Sequence, residues 1–146
     1  MSKLKVGVIG LGMGRNHLKQ FHNHDRSEVV AIADPDSARL DVQRTEHGIA
    51  SCYPDGFKMI EEESLDIVVV ATPNKFHHPY TMAALQAGSH VFCEKPMAMN
   101  AAEAEEMLAA ADRAGRRLMI NFSFRFTPQA WALKREVDSG LLGDIY

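Results

Sequence analysis

The sequence contains no apolar run long enough to cross a membrane. Such a run needs roughly 18 residues, and the apolar stretches of this chain are much shorter. The N-terminal residues lead directly into a short apolar segment, without the longer apolar region and small-residue cleavage site of a secretory signal. We therefore expect a cytoplasmic protein with no membrane contact.

Cysteine is also scarce, and the chain has no excess of positive charge. The only two cysteines, Cys52 and Cys93, have neither metal-ligand nor redox spacing, so we predict two reduced, buried thiols and no metal site. A net charge of -3 offers no basic surface for nucleic acid. With 46% hydrophobic and 24% charged residues among 146, the composition is typical of one globular domain with its own core.

What the chain does have is a repeated alternation of apolar runs and helical segments. The apolar runs predict six strands, at 5–9, 29–33, 49–52, 66–71, 89–93 and 118–121. The intervening segments predict helices, at 16–24, 37–46, up to about 63, 77–87 and 100–115. Continuous apolar runs indicate strands buried on both faces. We predict an α/β fold with a doubly wound parallel sheet (a Rossmann fold) of strand order 3-2-1-4-5-6.

A glycine-rich turn follows the first predicted strand. It consists of Gly10, Leu11, Gly12, Met13 and Gly14. Small residues there let the backbone approach a diphosphate, and the next helix directs free N–H groups at it. The third glycine comes one residue earlier than in the GxGxxG pattern, with Arg15 in its expected place, which predicts a tighter turn. Any tight strand-to-helix turn favours glycine, so that alternative stays open.

Asp34 lies at the carboxyl end of the second predicted strand. An acidic side chain at this position can accept hydrogen bonds from the adenosine ribose hydroxyls, and its charge repels a 2′-phosphate. This favours NAD over NADP, although Arg39 can soften the bias. The alternative is that Asp34 only opens the turn and caps the second helix. We prefer the ribose role because the ligand requires an acidic residue at a strand end.

Two further motifs follow later strands. Thr72, Pro73 and Asn74, with His77, follow the fourth predicted strand, and Glu94, Lys95 and Pro96 follow the fifth. Together with the glycine turn and the segment NFSFRFTP at 121–128, they resemble the Gfo/Idh/MocA oxidoreductases over essentially the whole chain. The resemblance implies a two-domain enzyme, in which an open antiparallel sheet follows the Rossmann domain, supplies substrate contacts and usually forms the oligomer interface.

The domain assignment follows from this resemblance. We assign residues 1–122 to a dinucleotide-binding domain and 123–146 to a crossover segment leading toward a second domain that is absent or truncated here. In the crossover segment, 128–139 is predicted to be helical and 143–146 to open a further strand. The aromatic residues of this region either meet the missing domain or form ordinary core: Phe122, Phe124, Phe126 and Trp131.

The resemblance makes Lys95 the catalytic lysine, close to the nicotinamide. An ammonium beside a developing alkoxide can stabilise it and relay its proton. The alternative is a solvated lysine next to a turn proline. Glu94 is expected near the nicotinamide ribose, or paired with Lys95.

The remaining candidate residues lie in the loop after the fourth predicted strand, in the first helix and in the crossover segment. The segment 72–74 is expected against the diphosphate and the nicotinamide ribose, with His77 either beside it or acting only as a helix cap. His17 matches a family histidine, but we favour a packing role. Arg125 contacts either the cofactor or a substrate carboxylate, or is a plain surface residue.

The implied function is hydride transfer between a nicotinamide cofactor and a hydroxyl of a sugar, polyol or cyclitol. The cofactor is expected to be NAD, with NADP less favoured. The acid/base pair that the family takes from its second domain has no counterpart here, so we expect cofactor binding with little or no turnover and a homo-oligomeric complete enzyme. The alternative is a non-catalytic nucleotide-binding or scaffold module.

Overall fold

The computed structural model describes residues 2–145, and within them six strands alternate with helices. The strands are Leu4–Ile9 (β1), Ser27–Ala33 (β2), Ser51–Tyr53 (β3), Ile67–Val70 (β4), His90–Cys93 (β5) and Leu118–Ile120 (β6). The α-helices are Gly14–His22 (α1), Ser37–His47 (α2), Gly56–Glu62 (α3), His77–Gln86 (α4), Ala101–Ala114 (α5) and Pro128–Asp138 (α6). Short 3-10 helices span Asn74–Phe76 and Ser123–Phe126.

The strands form one parallel sheet of order β3-β2-β1-β4-β5-β6, which confirms the predicted fold and strand order. Ile9 is in register with both Ala33 and Val70, and Val70 with Cys93. The carboxyl ends of four neighbouring strands therefore lie side by side at one end of the sheet. The loops that follow β1, β2, β4 and β5, which carry the predicted motifs, are brought together there.

Two apolar clusters cover the two faces of the sheet. Side chains alternate between faces along a strand, so Val68 and Val70 join the cluster with Leu85 of α4, while Val69 joins the cluster with Leu18 of α1. Helices on both faces bury most of the central strands, including residues 6–9 of β1 and 68–70 of β4. This explains the continuous apolar runs that predicted them.

Helix α5 shows why the boundaries could be predicted from sequence. The side chain of Asn100 accepts a hydrogen bond from the Glu103 backbone N–H, which caps the helix, and a Glu103 carboxylate oxygen accepts one from the Met99 N–H just before it. The helix ends at Gly115, whose φ of 60° is left-handed. Helix α1 begins earlier than predicted, at Gly14, because this glycine packs directly onto the sheet.

Two predictions were wrong. No strand forms at 143–145, where Gly143 has a φ of 69° and the segment is exposed without a neighbouring strand to pair with; Tyr146 lies outside the described residues. Cys93 is fully buried, but Cys52 is only half-buried because β3 is an edge strand. Both thiols are free.

The segment after β6 projects its apolar side chains into solvent. Phe124 is 84% exposed and Trp131 is 67% exposed, and Phe122 and Phe126 are also exposed. Of the two alternatives for these aromatic residues, ordinary core is therefore excluded. Between residues 2 and 145, no helix combines the length and the apolar character that crossing a membrane requires.

Candidate cofactor site

A cleft of about 590 Å³ opens at the carboxyl edge of the sheet, where the strand order reverses between β1 and β4. Open parallel sheets bind ligands at such a switch point, and the volume suits a small-molecule site. Residues from the loops after β1, β2 and β4 line it. The predicted cofactor residues among them are Gly10, Gly12, Met13, Asp34, Thr72 and Pro73.

Gly10 and Gly14 allow the turn to pack closely against the sheet. Gly10 has a φ of 87°, and a Cβ there would lie 2.5 Å from the Ala71 carbonyl oxygen. A Cβ on Gly14 would lie 3.1 Å from the Ala71 Cβ and 3.2 Å from Val8. Gly14 thus provides the close helix–sheet contact expected of the third glycine, although it comes one residue early.

Gly12 differs because it is exposed in the cleft. The nearest atom to a Cβ at this position is Nη1 of Arg39, 3.7 Å away. Met13 precedes α1 without a side-chain capping hydrogen bond, so the first N–H groups of the helix are left for a ligand. Open backbone beside a helix N-terminus fits a diphosphate.

Asp34 is almost fully buried, at 3% exposure. Its Oδ2 accepts a hydrogen bond from the Leu11 N–H at 2.7 Å, and its Oδ1 accepts one from the Asp36 N–H at 2.9 Å. Nη1 of Arg39 lies 3.6 Å from Oδ2. The carboxylate therefore holds the glycine turn and the turn before α2 together, while each oxygen keeps a further lone pair for a ligand hydroxyl.

The loop after β4 presents an unsatisfied polar group. Thr72 lines the cleft, and its Oγ1 is buried with no hydrogen-bond partner among residues 2–145. A buried hydroxyl without a partner is costly. A ligand hydroxyl or phosphate oxygen in the cleft would satisfy it once rotation of the Thr72 side chain turned Oγ1 toward the cleft. Pro73 and Asn74 follow on the exposed surface of the same loop.

Part of the cleft wall is aromatic, and the sequence analysis missed it. Phe76 and Tyr80 line the cleft, and Tyr80 also packs on Phe57 with ring centroids 4.4 Å apart. Burial, together with nearby Asp55, raises the pKa of Tyr80 above its ordinary value. The spacing of Phe76 and Tyr80 indicates a shared helix face, but only tertiary packing shows which surface that face meets.

Glu94, at the end of β5, is held by residues far away in sequence. Nε2 of His17 lies 2.7 Å from its Oε1, Nδ2 of Asn121 donates to the same oxygen at 2.9 Å, and the Lys95 N–H donates to Oε2 at 3.2 Å. Burial alone would raise the pKa of Glu94, but these hydrogen bonds lower it below its ordinary value. His17 also packs edge-on against Phe92, so it contacts the site as well as the core.

Lys95 is exposed next to this network, and the Lys95–Pro96 peptide bond is cis. The contact between Lys95 and Glu94 is made by the lysine backbone N–H and not by a side-chain pair, the alternative that the sequence leaves open. The lysine ammonium is therefore free to meet a ligand that extends from the cleft past the end of β5.

The remaining predicted residues lie outside the cleft surface. Leu11 is buried beneath the turn, at 3% exposure. His77 is buried at the start of α4, with both ring nitrogens close to backbone carbonyl oxygens. Arg125 is exposed on the 3-10 helix after β6. Among the described residues, no three His, Cys, Asp or Glu side chains are grouped so that they could hold a metal ion.

Comparison with known proteins places this geometry in a family. Residues 4–122 match a family model described as "Oxidoreductase family, NAD-binding Rossmann fold". The chain is 35% identical over 147 residues to D-glucoside 3-dehydrogenase from Escherichia coli K12, covering 99% of this chain and 42% of that protein. It is 38% identical over 146 residues to inositol 2-dehydrogenase 4 from Saccharopolyspora erythraea, covering 97% and 43%.

A solved structure agrees with these matches. The crystal structure of scyllo-inositol dehydrogenase from Lactobacillus casei with bound NAD(H) and scyllo-inositol superimposes with a TM-score of 0.89 at 28% identity, covering 99% of this chain and 43% of that one. The chain therefore spans less than half the length of the relatives that it matches.

Proposed function

This chain belongs to the Gfo/Idh/MocA oxidoreductase family as an NAD-binding Rossmann domain, and from that premise we propose that it holds NAD(H) for hydride transfer to or from a hydroxyl of a sugar, polyol or cyclitol. The observation that carries the proposal is the cleft at the switch point, with Gly12 open beside the start of α1 and the Thr72 hydroxyl unpartnered in its wall.

The proposed cofactor contacts follow the strand ends. The diphosphate lies over the glycine turn, 10–14, and the adenosine ribose reaches Asp34. The nicotinamide ribose approaches Thr72, Pro73, Asn74 and Glu94, and Arg125 closes over the cofactor from the segment after β6. His77 is included in the site because its ring contacts the loops after β4 and β5.

The ribose contact at Asp34 favours NAD. A 2′-phosphate at this position would bring negative charge against a buried carboxylate, which is unfavourable. Arg39 is 3.6 Å from that carboxylate and 54% exposed, so its charge is shared with solvent. We propose that Arg39 reduces the preference for NAD over NADP without reversing it.

Lys95 is the proposed catalytic residue. When bound, the nicotinamide ring supplies the hydride acceptor or donor. The Lys95 ammonium would stand beside the substrate oxygen, where it stabilises the alkoxide that develops; Nζ would relay the hydroxyl proton by releasing one of its own protons to solvent as it takes up the proton of the hydroxyl. In reduction the same Nζ would return a proton to the oxygen. Exposure of the lysine at the end of β5 leaves room for a substrate.

Glu94 would support this chemistry by holding the backbone of Lys95. Its Oε2 accepts the lysine N–H, while His17 and Asn121 fix the other oxygen from α1 and from the end of β6. The carboxylate therefore connects the diphosphate-binding helix to the catalytic loop. A nicotinamide ribose hydroxyl can still donate to a remaining lone pair.

The substrate class comes from the relatives, whose names specify a glucoside and inositols. Those proteins are more than twice as long as this chain, and we propose that their additional region supplies the contacts that orient substrate and exclude water, without which turnover is small. The complete enzyme is proposed to be a cytoplasmic homo-oligomer.

Fluorescence titration of this chain with NADH tests the proposal. NADH emission should rise and saturate, ADP should compete with it, and S-adenosylmethionine should not. Competition by S-adenosylmethionine alone would indicate a methyltransferase domain instead. NADH binding accompanied by no hydride transfer in the complete protein would favour the non-catalytic nucleotide-binding module.

A further inference from the structure

His77 connects the two loops that carry the predicted motifs. It is the first residue of α4 and only 1% exposed. Its Nδ1 lies 2.6 Å from the Pro96 carbonyl oxygen, and its Nε2 lies 2.9 Å from the Thr72 carbonyl oxygen. One buried ring thus joins the loop after β4 to the loop after β5.

The two carbonyl groups belong to residues next to the proposed chemistry. Pro96 directly follows Lys95 in sequence, and Thr72 carries the unpartnered hydroxyl in the cleft wall. The separation between the lysine backbone and this hydroxyl is therefore set partly by the imidazole between them. Since both ring nitrogens face protein oxygens and the ring is buried, direct contact between His77 and a ligand would require these bonds to break.

We propose that His77 is a positioning residue that sets Lys95 and Thr72 at the spacing required by the nicotinamide half of the cofactor. The inference rests on the proposed function and deepens it. The adenosine half lies over the ends of β1 and β2, to which the His77 ring makes no hydrogen bond. Loss of the imidazole should therefore affect the two halves of the cofactor unequally.

The chemistry of the ring determines the choice of variants. A carbonyl oxygen only accepts, so each contact is a hydrogen bond only when that nitrogen carries a proton. The doubly protonated ring satisfies both carbonyl groups, and either neutral tautomer satisfies one. His77→Phe keeps a planar ring but removes every donor, whereas His77→Gln keeps donors for one carbonyl group.

His78 provides a matched control on the same helix. It is the next residue, its side chain is 24% exposed, and its Nε2 contacts Glu106 of α5 at 2.8 Å, so its ring hydrogen bond goes to α5 and not to either loop. His78→Phe makes the same chemical change as His77→Phe. Any effect of adding a phenylalanine at the start of α4 should appear in both variants.

The experiment compares NADH with ADP, which lacks the nicotinamide half, by titrating each into the wild-type chain and the three variants. His77→Phe should weaken NADH binding by about tenfold or more and ADP binding by less than about twofold, with His77→Gln in between and His78→Phe unchanged. Equal weakening of both ligands, or unchanged NADH binding, would overturn the proposal.

A measurement on the wild-type chain covers the case in which His77→Phe does not fold. In the NMR spectrum of the isotope-labelled chain, a ring N–H of His77 should be protected from solvent exchange, and that of His78 should not. Equal exchange of the two rings refutes the positioning role. Failure of the wild-type chain to bind NADH refutes the proposed function and this inference together, whereas NADH binding that His77→Phe leaves unchanged refutes the inference alone.

Discussion

Replacing Gly12 by alanine should weaken NADH binding without lowering the stability of the fold. A Cβ at this position meets nothing closer than 3.7 Å, and φ lies outside the left-handed region. Replacing glycine at a compatible position typically stabilises a protein by about 0.4–1 kcal/mol, through the entropy of the unfolded chain. Gly12→Ala should therefore unfold at the same or slightly higher urea concentration than the wild type.

NADH binding by the same variant should weaken by about tenfold or more, which corresponds to about 1.4 kcal/mol. The added methyl group would occupy the surface on which we place the diphosphate. Urea unfolding and NADH fluorescence titration, measured on one preparation, give both quantities. If Gly12→Ala binds NADH as tightly as the wild type, the diphosphate does not lie over Gly12.

Gly10→Ala is the matched contrast. Its φ of 87° and a Cβ only 2.5 Å from the Ala71 carbonyl oxygen combine two penalties. Left-handed backbone costs a non-glycine residue about 1–2 kcal/mol and overpacking costs about 1–3 kcal/mol, so we expect destabilisation by about 2–5 kcal/mol. Gly12→Ala destabilised to the same extent would contradict the open geometry at Gly12.

Three further variants test the electrostatics and the chemistry. Glu94→Gln should destabilise the chain by about 1–2 kcal/mol at pH 7. Because the pKa of Glu94 is lowered in the folded state, the contacts of the ionised carboxylate stabilise the fold above about pH 4 and lose their effect as the pH falls through the folded pKa. The difference in urea midpoint between the variant and the wild type should therefore vanish in acid. A difference that persists in acid would point to packing instead. Asp34→Asn should raise the affinity for NADPH relative to NADH by about tenfold, while Asp36→Asn, at an exposed position, should change this ratio little. If both variants have the same NADPH-to-NADH affinity ratio, Asp34 does not determine the preference for NAD. Lys95→Met should leave NADH binding by this chain nearly unchanged and slow the complete enzyme by about a hundredfold or more, and undiminished turnover would remove the lysine from the mechanism.

The fold could be predicted because its signals are local. Continuous apolar runs mark strands buried between two helical layers, and Asn100 and Gly115 mark the ends of α5 through their own backbone chemistry. The strand predicted at 143–146 failed at 143–145 for a related reason. A short segment becomes a strand only beside a partner, and among residues 2–145 no strand lies next to it.

The candidate site could be predicted from sequence only where a motif lies at a strand end. The turn at 10–14, Asp34, Thr72 and Lys95 follow that rule. The network around Glu94 joins residues up to 77 positions apart, and the bridge made by His77 depends on the spacing between two loops. Pairs of this kind leave no periodicity in the sequence, since the tertiary fold alone brings them together.

The amide NMR spectrum of this chain, recorded with and without NAD⁺, tests the central claim most directly. The largest changes should fall on the N–H groups of 10–14, with others at Thr72 and Glu94, because the cofactor would lie across the carboxyl ends of β2, β1, β4 and β5. A second groove, of about 400 Å³, lies at the amino end of β1 and is lined by Leu4 and Phe21. The amide signals of its residues should not change. Changes confined to that groove, or none at saturating NAD⁺, would contradict the account.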